Sequence, residues 1–162
     1  MKHLYYQNDQ VYAILSEEVR KYFYADGTLK TFEPYQAGRL HGEVSLYWPN
    51  ARLKRVCSFD HGVRQGQDLM WDEEGRLVDE GSYAKGVPVG THRRFCASRK
   101  IEEIEYLEEG RFNLWEWDEE GNLRIEALWD HLSYKERVWD RFKHEWVNQT
   151  GYWDGNKLIY TS

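Results

Sequence analysis

Apolar and aromatic residues recur along this chain with a period of 24 residues, and glycines follow the same period. One row is wholly aromatic (Phe23, Tyr47, Trp71, Phe95), and another is wholly glycine (Gly38, Gly62, Gly86, Gly110). Three further rows keep the period: Leu29, Leu53, Leu77 and Ile101; Tyr35, Phe59, Tyr83 and Leu107; and Gly42, Gly66 and Gly90. Five rows on one period indicate a tandem structural repeat.

Within one unit, the hydrophobic pattern predicts a β-hairpin. Apolar and polar residues alternate from Leu53 to Phe59, which is the period of a strand. Asp26-Gly27, Glu74-Gly75 and Glu120-Gly121 suit the positive φ of tight turns. Second glycines, such as Gly66 after Gly62, are predicted to lie in the return loop. The fold class is therefore all-β, an elongated antiparallel sheet of tandem β-hairpin repeats with a short C-terminal helix.

The chain is predicted to be a single repeat domain, residues 1–162. Hairpin repeats occupy 23–130, between an N-terminal cap at 1–22 and a C-terminal cap at 131–162. Fragments of the unit occur in both caps, at 5–11 and 152–158. After Phe95 the array loses two residues, and Arg99 replaces the turn glycine, so an altered turn is expected there.

Residues 131–148 break the pattern and are predicted to form the helix. Val138, Phe142 and Trp146 lie four residues apart, and no glycine or proline interrupts the segment. A helix that caps the sheet is the favoured interpretation, and a separate partner-binding helix is the alternative.

Composition supports a folded protein in the cytoplasm. Hydrophobic residues make up 41% of the chain, with 8 Trp and 12 Tyr, and aromatic residues favour strands. No apolar run reaches the ~18 residues of a membrane span, and the N-terminal sequence does not resemble a signal peptide. Cys57 and Cys96 are expected to be ordinary thiols rather than a disulfide.

The sequence offers no recognisable catalytic motif, so no enzyme, cofactor or metal site is predicted. The six histidines are scattered, and His41 and His61, beside return-loop glycines, are expected to be solvated. Acids are numerous enough that their count alone leaves a catalytic carboxylate pair open. Because these acids mostly adjoin turns, the non-catalytic interpretation is favoured.

Negative charge is concentrated in one segment. Residues 101–130 carry a net charge of −9, whereas the whole chain carries −6. Clustered like charge steers association with a partner of opposite charge. The alternative is a solvated face that keeps the protein soluble. Nucleic acid and anionic membrane are unfavourable partners for an acidic surface.

A basic protein is therefore the expected partner, and aromatic residues among the acids are suitable binding anchors. The predicted partner-binding residues are Glu102, Glu103, Glu105, Glu108, Glu109, Trp115, Trp117, Asp118, Glu119 and Glu120. Trp117 occupies the aromatic row of the repeat, so packing explains it equally well. Trp115 matches Ser45, Leu69 and Arg93 in the other repeats, so it is the preferred anchor.

The repeat unit, Y-W-x-N/D-x-G-x-L followed by Y-x-x-G-x-x-x-G, resembles the MORN-repeat variant of many bacterial proteins. These include a family of antitoxin and immunity proteins. The resemblance covers Phe23 to Trp129. It implies an immunity protein or antitoxin that neutralises a toxin by occluding its basic active-site cleft. The alternative is a cytoplasmic scaffold that bridges cellular proteins without a toxin partner.

Overall fold

The computed structural model of the chain describes residues 1–131, 133–154 and 157–161. The chain divides into two compact units, Met1–Pro88 and Val89–Ser162. Regular structure in the described ranges consists of sixteen β-strands and one short 3-10 turn. The predicted all-β architecture of successive antiparallel hairpins is confirmed.

The first unit contains strands that pair antiparallel with their neighbours in chain order. The short β5 forms a small ladder with β4, and β4 then pairs with β6. The strands are β1 (Lys2–Tyr5), β2 (Val11–Leu15), β3 (Val19–Phe23), β4 (Leu29–Gln36), β5 (Arg39–Leu40), β6 (Gly42–Tyr47), β7 (Leu53–Asp60), β8 (Val63–Trp71) and β9 (Leu77–Ala84).

The second unit repeats this arrangement, and its first strand begins just before the boundary between the units. Consecutive strands again pair antiparallel. They are β10 (Val87–Cys96), β11 (Arg99–Tyr106), β12 (Phe112–Trp117), β13 (Leu123–Asp130), β14 (Ser133–Asp140), β15 (Glu145–Trp153) and β16 (Leu158–Thr161).

The return loops are two residues long and have left-handed backbone at both positions. His61 and Gly62 have φ of 47° and 91°, and Lys85 and Gly86 have 51° and 84°. This is the geometry of a tight hairpin turn with the twist of its strands. The positive φ predicted for Gly27, Gly75 and Gly121 at the other hairpin turns is confirmed, with values of 87°, 86° and 85°. The placement of Gly66 in the return loop was wrong.

Gly66 lies inside β8, where three residues of that strand face the single residue Ser58 of β7. Such a bulge makes the backbone irregular, and Gly66 has a left-handed φ of 99° that glycine adopts without steric cost. A Cβ on Gly66 would lie 3.4 Å from the Cβ of Ser58. The second glycine row therefore reflects an irregular strand and close packing rather than a longer loop.

The altered turn expected near Arg99 is present. Ala97 and Ser98 connect β10 to β11 with φ of 48° and 68°, and Arg99 is already paired in β11. The next connection is also different, because a 3-10 turn at Glu108–Gly110 leads into a β12 of only six residues. The two residues that this repeat lacks are therefore lost between Gly110 and Trp117, which shortens β12.

Aromatic side chains at the hairpin tips bind the neighbouring hairpin in the first unit. The Tyr24 hydroxyl donates to the Tyr47 carbonyl oxygen at 2.9 Å, and Trp48 Nε1 donates to the Trp71 carbonyl oxygen at 3.0 Å. The acceptors belong to the aromatic row of the next repeat. Each net hydrogen bond contributes about 1 kcal/mol, and the repeat places one at successive tips.

The buried positions hold mostly small side chains. Ala13, Val44 and Cys57 in the first unit have exposed fractions of 0 to 6%, and Ala127 in the second has 4%. Cys57 and the exposed Cys96 are free thiols. The larger side chains are only partly covered, so much of their stabilising contact comes from rows of rings along the sheet.

One such row crosses the second unit. Phe112 and Trp129 stack with centroids 5.7 Å apart, and Trp129 and Tyr134 stack at 5.0 Å. Tyr134 is only 2% exposed, and it lies over Gly151 of β15. A Cβ at Gly151 would overlap the Tyr134 ring and the Ile159 carbonyl oxygen. Gly151 is therefore required by the close approach of this ring.

The predicted helix at 131–148 is wrong. Residue 132 lies outside the described ranges, and the remainder forms β14, a turn and β15, with Val138 opposite Val147 and Trp139 opposite Trp146. The four-residue spacing suggested a helix, but Val138 and Trp146 belong to two different strands that pair with each other. Phe142 lies in the turn between them.

Part of the predicted C-terminal repeat fragment, at 155 and 156, also lies outside the described ranges. Among the residues that the structure describes, no helix has the length and apolarity to cross a membrane.

Phe142 distinguishes the hairpin from the helix. Its side chain is 84% exposed at the tip, so Phe142→Ala should change the free energy of unfolding by less than about 0.5 kcal/mol in urea denaturation. On the apolar face of a packed helix, the same substitution would cost about 3 kcal/mol or more. A loss of that size would contradict the hairpin.

Gly151→Ala should destabilise the second unit more than an alanine at a glycine with open surroundings. We expect a loss of about 3 kcal/mol from overpacking against Tyr134. The matched control is Gly121→Ala, because Gly121 has φ of 85° and no neighbour within 4 Å of an added Cβ. Backbone strain alone should cost that variant about 1 kcal/mol. Equal losses in urea denaturation would contradict the packing of Tyr134 on Gly151.

Candidate functional site

The acidic segment 101–130 forms strands β11, β12 and β13 with the tips that join them. Facing residues on β11 and β12 alternate between the two sides of the sheet. Glu103 pairs with Trp115, whereas Glu102 pairs with Glu116 on the opposite side. The predicted binding residues are therefore divided between two faces and two strand ends.

Glu103 is neutralised by two basic side chains. Arg93 Nε and Lys100 Nζ donate to its Oε2 at 2.7 Å and 3.0 Å. Burial raises the pKa of Glu103, but these two hydrogen bonds outweigh burial and hold the pKa below its usual 4.5. This carboxylate is committed to the sheet rather than available to a partner.

Glu102 and Glu105 also have partners within the sheet. Arg94 NH2 donates to Glu102 Oε1 at 2.6 Å. Asn113 Nδ2 donates to Glu105 Oε2 at 3.0 Å, a contact that leaves the negative charge of Glu105 uncompensated. The two glutamates project on opposite faces, so they do not contribute to a common surface.

Asp118 organises the tip between β12 and β13. Its Oδ1 accepts the Asn122 backbone N–H at 2.8 Å, and its Oδ2 accepts Arg124 Nε at 2.5 Å. Burial raises the pKa of Asp118, but the hydrogen bonds from Asn122 and Arg124 together hold it below its usual 3.8. The residue stabilises the turn that presents its neighbours.

Those neighbours, Glu119 and Glu120, are exposed at the tip, and no described basic side chain forms an ion pair with them. Glu108 and Glu109 are likewise exposed in the 3-10 turn at the opposite end of β12. The six residues of β12 separate the two acidic tips by roughly 20 Å. These four exposed acids without an ion pair thus lie at the two ends of β12.

The two tryptophans have different surroundings. The Lys100 ammonium lies 4.1 Å from the centre of the Trp117 ring, which is a cation–π contact. Because Lys100 also binds Glu103, Trp117 belongs to the same network and is partly covered by it. This arrangement agrees with a packing role for the aromatic row.

Trp115 lines a shallow groove of about 480 Å³ on the face that carries Glu103. Its Nε1 donates to Glu126 Oε1 at 3.3 Å, and Arg137 Nε donates to Glu126 Oε2 at 2.5 Å. Leu128, 40% exposed, forms an apolar part of the same groove. The groove therefore combines an aromatic side chain with groups of both charges, rather than acids alone.

Glu136 lies on the opposite face and differs from the other acids. Burial and then repulsion from Glu116 raise its pKa above the usual 4.5, although Tyr134 donates a hydrogen bond to it at 3.4 Å. The structure thus brings the carboxylate of Glu136, whose pKa is raised, toward the carboxylate of Glu116. Their strands are separated by β13, and no described basic side chain completes a catalytic arrangement with them.

Sequence reasoning missed a buried charge network in the first unit. Asp68, 5% exposed, accepts Arg55 Nε at 2.8 Å and Arg55 NH2 at 2.6 Å, and Arg64 NH1 lies 3.3 Å away. Hydrogen bonding to Asp68 raises the pKa of Arg55, and burial raises the pKa of the adjacent Cys57. The available signal for this network was a pair of oppositely charged residues at inward positions of the strands that became β7 and β8. The bidentate geometry makes this a structural pair.

A wider groove in the first unit, of about 1220 Å³, was also not predicted. The Arg20 guanidinium lies 4.2 Å from the centre of the Tyr35 ring along its wall. Burial, then the negative charge of Glu33, raises the pKa of Tyr35. His41 lies at the edge of the groove and is close to Asp60 and His61, so these two histidines are near each other although 20 residues separate them in the sequence.

Comparison of the chain with protein-family models and with curated proteins gave no match. The similarity of its repeat unit to the MORN variant therefore rests on the repeat residues themselves.

The network around Glu103 should make stability depend on pH. Because the folded pKa is lowered, the stabilisation is fully present above the unfolded value near 4.5 and is lost as the pH falls through the folded value. Glu103→Gln should therefore cost about 1 kcal/mol at pH 7, and the difference from wild type should shrink as the pH falls below 4.5. Urea denaturation across this range measures it.

The control is Glu105→Gln, since Glu105 accepts only an amide hydrogen bond and no ion pair is at stake. We expect a smaller loss at pH 7. A difference for Glu103→Gln that stays constant from pH 3 to pH 7 would contradict the ion-pair role.

Proposed function

We propose that this chain is a non-catalytic protein-binding module, an immunity protein or antitoxin that binds a bacterial toxin and occludes its basic active-site cleft. Trp115 carries the proposal. It is an aromatic side chain that the repeat does not require, and it lies in an open groove on a polar face. Aromatic anchors in partly desolvated pockets dominate the free energy of many protein interfaces.

The exposed tip acids add the electrostatic component. Glu119 and Glu120 follow Trp115 by four and five residues at the end of β12. A hairpin tip can enter a cleft, and its unpaired acids attract a basic lining. Inhibition by this mechanism requires only occupancy of the cleft, so the chain needs no reactive group.

Glu102, Glu103 and Asp118 have a different part in this proposal from the one first assigned to them. Their carboxylates are bound by Arg94, by Arg93 with Lys100, and by Arg124. They hold the strands and the tip in position, while Trp115 and the exposed tips make the contacts with the partner.

The resemblance to the MORN variant supplies the bacterial toxin context, and the cytoplasm is the proposed location of the complex. The alternative is a cytoplasmic scaffold that bridges cellular proteins. The groove beside Arg20 and Tyr35 favours the scaffold, because each of the two units then has its own groove at which another protein could bind.

The proposal can be tested with the gene immediately upstream of the one that encodes this chain. If it encodes a secreted toxin domain, expression of that domain in a bacterial host should arrest growth, and coexpression of this chain should restore it. Trp115→Ala should abolish rescue, whereas Trp139→Ala, in the hairpin of β14 and β15, should retain it. Purified Trp115→Ala should dissociate from the toxin at least about tenfold faster.

Failure of the wild-type chain to bind or neutralise that toxin would overturn the immunity proposal. Full rescue by Trp115→Ala, with folding confirmed by circular dichroism, would contradict the Trp115 anchor.

Charge reversal at the two ends of β12 tests which tip enters the cleft. Glu119→Lys with Glu120→Lys should slow association with the toxin and flatten its salt dependence, because steering depends on uncompensated charge. Glu108→Lys with Glu109→Lys makes the same change at the other end and should have a smaller effect. Stopped-flow association at several salt concentrations measures both, and the reverse order would contradict the assignment.

A further inference from the structure

We propose that His41, Asp60 and His61 form a Zn²⁺-binding site on the first unit. His61 lies in the return loop between β7 and β8, Asp60 is the last residue of β7, and His41 lies between β5 and β6 of the preceding repeat. One ligand atom from each lies within 4.8 Å of the others. Two imidazoles and a carboxylate are a ligand set that zinc uses in proteins, with a fourth position open to water.

The side chains already point toward a common centre. His41 Nδ1 lies 3.3 Å from Asp60 Oδ1, and His61 Nδ1 lies 2.5 Å from the same oxygen. Tetrahedral zinc with bonds of about 2.1 Å separates its ligand atoms by roughly 3.4 Å. The distance between His41 Nδ1 and Asp60 Oδ1 fits as it stands. The distance between His61 Nδ1 and Asp60 Oδ1 must lengthen by about 1 Å, which rotation of the side chains can provide.

Backbone hydrogen bonds fix the position of His41 relative to the return loop at His61 and Gly62. The Gly62 N–H donates to the Leu40 carbonyl oxygen at 2.7 Å, and the His41 N–H donates to the Pro34 carbonyl oxygen at 3.0 Å. His61 is held at φ of 47° in its two-residue turn. The ligands therefore lie on tight hairpins, so little chain ordering opposes binding of the metal.

His41 Nδ1 also accepts a long hydrogen bond, 3.4 Å, from the His61 backbone N–H. An Nδ1 atom that accepts this bond is unprotonated, which is the state that a metal ligand requires. The bond is weak at this distance, so zinc can replace it at small cost.

The following repeat offers an internal comparison. Gln65 and Lys85 occupy the positions of His41 and His61, 24 residues later. Gln65 Oε1 accepts the Lys85 backbone N–H at 2.9 Å, which reproduces the contact between the loops without a metal ligand. The fold therefore needs a hydrogen-bond acceptor at position 41 but does not need two histidines.

The cluster is accessible to solvent. The exposed fractions of the side chains are 39% for His41, 60% for Asp60 and 52% for His61. Zinc can therefore enter from solution and retain a water ligand. Bound zinc would link the return loop after β7 to the residue that precedes β6 and stabilise the first unit, because the assembled ligand set exists only in the folded chain.

Isothermal titration of the full chain with zinc chloride, in reducing buffer without chelators, should show saturable binding of one ion. The background is Cys96→Ser, which removes the exposed thiol as a competing ligand. His41→Gln recreates the residue of the next repeat and should weaken binding by at least about tenfold, as should His61→Gln. Zinc should also raise the Tm of the parent protein and leave that of His41→Gln nearly unchanged.

His131→Gln is the matched control. His131 follows Asp130 in a return loop with φ of 55°, and its Nε2 lies 3.8 Å from Asp130 Oδ1, but the pair offers one imidazole. This variant should bind zinc as the parent does. The proposal is overturned if the parent shows no saturable binding, if His41→Gln binds as tightly as the parent, or if His131→Gln is weakened equally. Circular dichroism verifies that each variant is folded.

Discussion

The structure depends on one constraint: a two-stranded hairpin has too little interior to bury its own side chains. Each hairpin therefore has to be stabilised by its neighbour. Tip aromatics such as Tyr24 and Trp48 meet this need in the first unit, since they donate hydrogen bonds to the next aromatic row. In the second unit, stacked rings from Phe112 to Tyr134 join consecutive strands. The 24-residue period of the sequence follows from repeating these contacts.

The same constraint governs where charge is available for recognition. Side chains in the middle of a strand face the neighbouring strand at close range, so acids such as Glu103 acquire basic partners there. At the tip after β12, Asp118 binds Arg124, whereas Glu119 and Glu120 form no ion pair with a described basic side chain and remain exposed. The net charge of a segment is consequently a poor measure of its binding surface. The basic side chains that lie beside each acid decide which acids can meet a partner.

Return loops offer a further place where function can be added without altering the fold. Each return loop lies beside the preceding repeat, so residues distant in sequence, such as His61 and His41, come into contact. Their counterparts Gln65 and Lys85 make only the hydrogen bond that the architecture needs. Substitution at these positions can therefore create a ligand site while the hairpins keep their geometry.

The sequence by itself determined the hairpin repeat and the positive φ of turn glycines such as Gly75, because alternation and turn chemistry are local. It failed at 131–148, where the spacing of Val138 and Trp146 fits both a helix and two facing strands. Pairing between strands is non-local, so only the tertiary structure decided that Arg55 binds the buried Asp68. It likewise placed Trp115 in an open groove and Trp117 beneath Lys100. A one-residue change of register would reverse the face of each of these side chains, and the sequence pattern does not specify register across strands.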